Sequence, residues 1–229
     1  IVAIVGASGS GKTVFLDHLV GLLTPDSGRI YAADHDAPVG DDGQPPLVDI
    51  ASARPETLDR IRLHWAVVFQ RNALFDSLTA LENVNFPQVE TLGRDERAAA
   101  AVSQKLLEAV GLNEAAERYP SEISGGMQKR LGIARALSLA PKLILYDDPT
   151  AGLDPITSRM IIRLIKDLQE RDGATVVVVT NEIARAFQIA DRVGFVFQGR
   201  LVMAGTPAEA KKSTHPDVAP FLRGQPSAI

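Results

Sequence analysis

The chain opens on an unbroken apolar run, Ile1-Val2-Ala3-Ile4-Val5, that stops at Gly6. This is the pattern of a strand covered on both faces, as in a parallel sheet. The period then changes. From about Gly11, Val14, Leu16, Leu19, Val20 and Leu23 recur at helical spacing, and Thr24-Pro25-Asp26-Ser27-Gly28 ends the helix with turn residues. Arg29 to Ala33 predicts an edge strand, and Asp34 to Pro55, rich in proline and aspartate, an exposed insertion. Ala66-Val67-Val68-Phe69 predicts another buried strand. Residues 72–139 read as mainly helical, with the clearest helix over Glu96 to Val110 and Gly111 closing it. Beyond them come a strand over Lys142 to Tyr146, an amphipathic helix over Ile156 to Glu170, a strand over Thr175 to Val179 and a helix over Ile183 to Ile189. Val193 to Phe197 and Arg200 to Val202 suggest a hairpin around Gln198-Gly199. Strands alternating with helices predict an α/β fold with a mostly parallel sheet and flanking helices.

Composition narrows the partners. With 229 residues, 45% of them apolar, the chain can bury its own core. A net charge of −4 argues against general nucleic-acid binding, which needs a basic face. The absence of cysteine excludes disulfides and thiolate metal sites. No apolar run approaches the roughly 20 residues that span a bilayer, and no signal peptide is recognisable. Any work at a membrane is therefore expected from its cytoplasmic side, through a partner.

Gly6-Ala7-Ser8-Gly9-Ser10-Gly11-Lys12-Thr13 fits G-x-x-x-x-G-K-[ST] at every defined position. Glycines let backbone N–H groups curl around phosphates, and the helix that follows points its N-terminus at the negative charge. Lys12 would reach the β- and γ-phosphates, and Thr13 would hold Mg²⁺. Asp147 ends an apolar strand, which puts a carboxylate at the sheet edge where open α/β folds bind ligands, fit to hold the same Mg²⁺.

Downstream lies Ser124-Gly125-Gly126-Met127-Gln128-Lys129-Arg130, followed by Ala134-Arg135-Ala136-Leu137. A helix opening on S-G-G again suits a phosphate. In this order the two motifs resemble the ATP-binding cassette (ABC) family over almost the whole chain. The resemblance implies a P-loop NTPase with a helical subdomain: a RecA-like core over about 1–71 and 140–205, the helical part over about 72–139, and a tail over 206–229. It also implies ATP and Mg²⁺ as cofactors and two or three antiparallel strands before Ile1. Those strands are missing here, so the chain reads as a fragment or as a sequence without those residues, and adenine recognition stays unassigned. Gln70, within Phe69-Gln70-Arg71-Asn72-Ala73-Leu74-Phe75, is implied to touch Mg²⁺ and the attacking water. Ser124, Gly125 and Gly126 are implied to meet ATP on a second copy of the chain in a head-to-tail dimer, with Ala151-Gly152-Leu153-Asp154 crossing the interface.

Two positions depart from the family. Asp148 stands where glutamate usually polarises the attacking water, and it is about one methylene shorter. Asn181, in Thr180-Asn181-Glu182, replaces a histidine that contacts the γ-phosphate; it can donate a hydrogen bond but cannot take up a proton, and it is shorter. Three readings stay open: a slow but active ATPase, one half of an asymmetric pair, or an ATP-dependent clamp.

Within the family, several stretches are similar to the ATPase subunits of Mla/Mce-type lipid transporters. They are Met127 after Ser124-Gly125-Gly126, Asn72 to Leu78 with Asn83 to Pro87, Asp154 to Thr157, and the ending His215 to Gly224. This likeness implies a membrane permease, a Mce substrate-binding protein, a STAS-domain protein and a phospholipid or other hydrophobic cargo, at the cytoplasmic face of the inner membrane. A small-solute importer shares every catalytic motif and is the alternative. Non-transport ABC ATPases insert long coiled coils between the two motifs, and no sustained heptads occur here. The four histidines show no metal spacing, Trp65 reads as packing, and Lys211-Lys212 is too short for a membrane patch.

Overall fold

The computed structural model describes residues 1–223. Eight strands and nine α-helices follow in chain order: β1 (Val2–Val5), α1 (Lys12–Leu19), β2 (Tyr31–Ala33), β3 (Leu47–Asp49), α2 (Pro55–Arg62), β4 (Trp65–Val68), α3 (Ala80–Leu92), α4 (Glu96–Ala109), α5 (Gly125–Leu137), β5 (Leu143–Asp147), α6 (Pro155–Asp172), β6 (Thr175–Thr180), α7 (Ile183–Ile189), β7 (Arg192–Phe197), β8 (Arg200–Gly205), α8 (Pro207–Lys211) and α9 (Val218–Leu222). Six strands form one sheet in the order β4-β5-β6-β1-β7-β8. All its pairings are parallel except β7 with β8, the predicted hairpin.

Alternating side chains divide the core. From β5 and β6, Ile144, Tyr146, Val176 and Val178 share one cluster with Leu131 and Ile133 of α5 and Ile161 and Ile165 of α6. Leu145 and Val179, one position along, pack with Ile4, Leu16 and Val20 toward α1. This two-sided burial explains why β1, β5 and β6 read as continuous apolar runs. The helical part is fastened at its ends: Thr79 and Glu82 form a capping box on α3, and Asp95 and Ser124 cap α4 and α5. Asn83, fully buried, donates to the carbonyls of Phe75, Leu78 and Thr79, fixing the loop that enters α3.

Two expectations need correction. The first helix stops at Leu19 rather than running to Leu23. Gly21 takes φ 69°, and Arg62 donates to the Val20 and Gly21 carbonyls at 3.2 and 2.8 Å, so the freed C-terminal carbonyls are capped from α2. Residues 34–55 are not a plain exposed insertion. β3 lies within them and pairs antiparallel with β2 in a separate two-stranded sheet. Asp34 is buried and ion-paired to Arg60 of α2. The predicted tail ending at Gly224 runs past the described residues.

Candidate functional site

β4, β5, β6 and β1 are neighbours, and all four end at the same edge of the sheet. Gln70 follows β4, Asp147 and Asp148 lie at the end of β5, Asn181 follows β6, and the glycine-rich loop follows β1. Four segments far apart in sequence are thus delivered side by side. Together with Ser8, Gly9, Gly11, Lys12, Thr13, Val14 and Val179 they line one cleft of about 300 Å³.

The loop has the shape that its glycines require. A Cβ on Gly6 would sit 2.6 Å from Ser10 Oγ and 2.7 Å from the Val196 carbonyl. Gly11 has φ 98° and caps α1. Lys12 Nζ donates to the Gly6 and Ala7 carbonyls at 3.0 and 2.8 Å, so its charge is held over the loop. Burial lowers its pKa, and the nearby Asp148 and Asp147 partly oppose that shift. Ser10 Oγ is buried without a hydrogen-bond partner, a hydroxyl beside a cradle of backbone N–H groups.

Opposite the loop, Thr13 Oγ1 donates to Asp147 Oδ2 at 3.4 Å. Burial pushes the Asp147 carboxyl above the ordinary carboxylate range, against the Thr13 bond and the Lys12 charge. Thr13, Asp147 and Gln70 offer the oxygen donors that suit Mg²⁺, and the cradle with its orphaned serine fits a polyphosphate.

Asp148 has φ 45°, a left-handed conformation that aspartate tolerates better than most residues. Its N–H donates to the Val179 carbonyl at 2.8 Å, and its Oδ1 accepts from Thr180 Oγ1 at 3.1 Å. The Glu182 N–H donates to that same hydroxyl at 3.1 Å, which fixes its orientation. Burial again raises the carboxyl's pKa, against the Thr180 bond. Thr180 was visible in the sequence only as a neighbour of Asn181; that it holds Asp148 depends on the pairing of β5 with β6.

Ser124, Gly125 and Gly126 are elsewhere. Ser124 and Gly125 are exposed at the N-terminus of α5, and Ser124 Oγ accepts from the Met127 N–H at 3.3 Å. All three line a separate cleft of about 410 Å³ with Gly152, Leu153 and Asp154. None of its lining residues belongs to the Lys12 cleft. A larger cleft, about 900 Å³, adjoins the loop at Ala7 to Ser10 and is walled by Phe197, His215, Pro216 and Phe221. Tyr31 lines none of these three; it lines a groove with Trp65 and His35. Among the described residues no cluster of metal-ligating side chains of the His/Cys/Asp/Glu type occurs, and no helix is long and apolar enough to cross a membrane.

The model of the ABC transporter family matches residues 1–151. The chain belongs to the ABC transporter ATP-binding family. Members of this family bind ATP with Mg²⁺. The chain is 37% identical over 222 residues to the probable ribonucleotide transport ATP-binding protein mkl of Mycobacterium leprae, covering 97% of this ABC chain and 60% of that protein. The chain thus spans about three-fifths of that relative's length. It is 40% identical over 209 residues to the glutamine transport ATP-binding protein GlnQ of Escherichia coli, covering 90% and 80%. It is 36% identical over 225 residues to the intermembrane phospholipid transport system ATP-binding protein MlaF of Haemophilus influenzae, covering 98% and 80%. Among solved structures, the dimeric ATP-binding cassette MJ0796 in a post-hydrolysis state with ADP and Pi superposes with a TM-score of 0.73 at 33% identity, over 89% of this chain and 84% of that one. The fold is that of an ABC ATPase, with a six-stranded, mostly parallel sheet and a helical subdomain.

Proposed function

We propose that the chain is the ATP-binding and hydrolysing subunit of an ABC transporter and acts as a head-to-tail dimer on the cytoplasmic face of a membrane, bound to an integral permease. The observation that carries this reading is the separation of the two clefts: Lys12 and Asp147 line one, Ser124 lines the other, and a second copy is needed to bring them together. The dimeric MJ0796 cassette supports it.

In this reading Lys12 exchanges the Gly6 and Ala7 carbonyls for β- and γ-phosphate oxygens, and the loop N–H groups and the start of α1 neutralise the remaining charge. Thr13, Asp147 and Gln70 hold Mg²⁺, which when bound offsets phosphate charge. Asp148, held by Thr180, accepts a hydrogen bond from the attacking water, with Gln70 beside it. Asn181 donates to the γ-phosphate, and Ser124, Gly125 and Gly126 of the second copy close over it. Asp148 and Asn181 leave the chain a working but slow motor rather than a clamp or a silent half.

For cargo, a small solute is supported better than a lipid, because similar relatives are named for ribonucleotide, glutamine, histidine and arginine transport at 37–40% identity, against 36% for the phospholipid one. Phospholipid or another hydrophobic cargo, with Mce and STAS-domain partners, is the second reading; Met127 after Ser124-Gly125-Gly126 and the likeness to MlaF favour it. Steady-state hydrolysis tests the motor. Wild type is expected to turn over ATP and Lys12→Ala to lose at least about 100-fold, the scale of removing charge stabilisation in a phosphoryl-transfer site. Turnover that survives Lys12→Ala would contradict the assignment. Co-purification with a permease, with or without a Mce protein, separates the cargoes.

A further inference from the structure

One face of α5 grips the segment that carries Gln70. Lys129 is only 5% exposed, and its Nζ donates to the Gln70 carbonyl. Gly132, three residues on, lies against Asn72: a Cβ there would stand 3.4 Å from the Asn72 Cβ, in ordinary contact. After three more, Arg135 donates to the Asn72 and Ala73 carbonyls at 3.1 and 2.6 Å. Asn72 and Ala73 have φ of 60° and 47°, a conformation that persists only where surroundings impose it. Burying an ammonium is costly without partners. Here it has one carbonyl and the field of Asp148 and Asp147, which oppose the lowering of its pKa by burial. No step above uses Lys129. Its place is within about two turns of Ser124 on the same continuous helix.

We infer that Lys129, with Arg135, is a positioning residue that ties Gln70 to the N-terminus of α5, so that ATP held by the second copy sets Gln70 over this chain's own site. The inference rests on the head-to-tail dimer proposed above. A rigid helix with a contact at each end is a physical route for coupling between two sites.

The full chain is assayed for hydrolysis against ATP concentration, for ATP-dependent dimerisation by light scattering, and for hydrogen exchange at residues 70–73. Lys129→Met keeps the stem and removes the donors. It is expected to lower kcat about 10-fold, with the KM for ATP changed less than about twofold and the Hill coefficient falling toward 1. ATP-dependent protection at 70–73 disappears while the dimer still forms, and Lys129→Arg restores both. Arg135→Lys, which keeps the charge but loses the two-pronged grip, is expected to shift the same readouts if Lys129→Met does not fold. Wild-type kcat, Hill coefficient and exchange in these variants would overturn the link. So would a defect that arginine does not rescue and that follows a lowered Tm. A wild-type chain that stays monomeric in ATP overturns the dimer itself, whereas dimers that form and behave alike in all variants overturn the link alone.

Discussion

Asp148 depends on a single hydroxyl. Thr180 donates to it at 3.1 Å and is itself oriented by the Glu182 N–H, so the shorter carboxylate is held by β6. Thr180→Val removes one hydrogen bond of ordinary strength, and kcat should fall about 3- to 10-fold. Asp148→Glu restores the missing methylene and should raise kcat about 10-fold, part of what a well-placed base contributes. An unchanged rate would mean that Asp148 already reaches the water. Burial raises both Asp147 and Asp148. Asp148, which holds no metal, must be ionised to accept a hydrogen bond from the water, so kcat should fall as pH drops through values above the carboxylate norm of about 4. The stability sign is opposite: a carboxyl raised in the folded state is a penalty once pH exceeds its folded pKa, and the penalty vanishes as pH falls. Asp148→Asn should therefore raise the Tm of the nucleotide-free chain at pH 7 while abolishing turnover. A lowered Tm at neutral pH would contradict this account of the burial.

At the scale of elements, the loop and its strand are locked together. Gly6→Ala drives a Cβ into Ser10 Oγ, which can rotate, and into the Val196 carbonyl, which as strand backbone cannot move far. It should cost about 1–3 kcal/mol of stability and most of the ATP affinity, read by thermal melts with and without nucleotide. The strands that carry the site were legible because they are covered on both faces, which leaves unbroken apolar runs such as Val176 to Val179. Ile183–Ile189 is the helix read from the sequence with the same bounds; extended residues, Glu182 and Ala190, flank it on both sides. β3 was not: Leu47-Val48-Asp49 is three residues between prolines and aspartates, and only pairing with β2 makes it a strand. α2 was hidden likewise, since its eight residues hold only two aliphatic side chains, Leu58 and Ile61. The end of α1 depended on Arg62, which reaches it from 41 residues away. In the site, each motif was readable alone because its glycines and carboxylates have a local reason. The grip of Lys129 and Arg135 on residues 70–73 was unreadable, because it spans two elements that only the fold brings together.

At the scale of the whole molecule, the chain holds two half-sites that do not meet. Gln70, Asp147, Asp148 and Asn181 converge on the Lys12 cleft because their strands are adjacent, whereas the exposed start of α5 opens on another. A single copy therefore lacks the closing donors, and turnover is expected to require two. The most direct test mixes two inactive variants, Lys12→Ala and Ser124→Arg. In a head-to-tail dimer, a mixed pair joins the intact Lys12 cleft of one protomer to the intact Ser124 of the other and so rebuilds one complete site. The account predicts that the mixture hydrolyses ATP well above the sum of the two variants alone. A rate equal to that sum would contradict it and place the complete site within one chain.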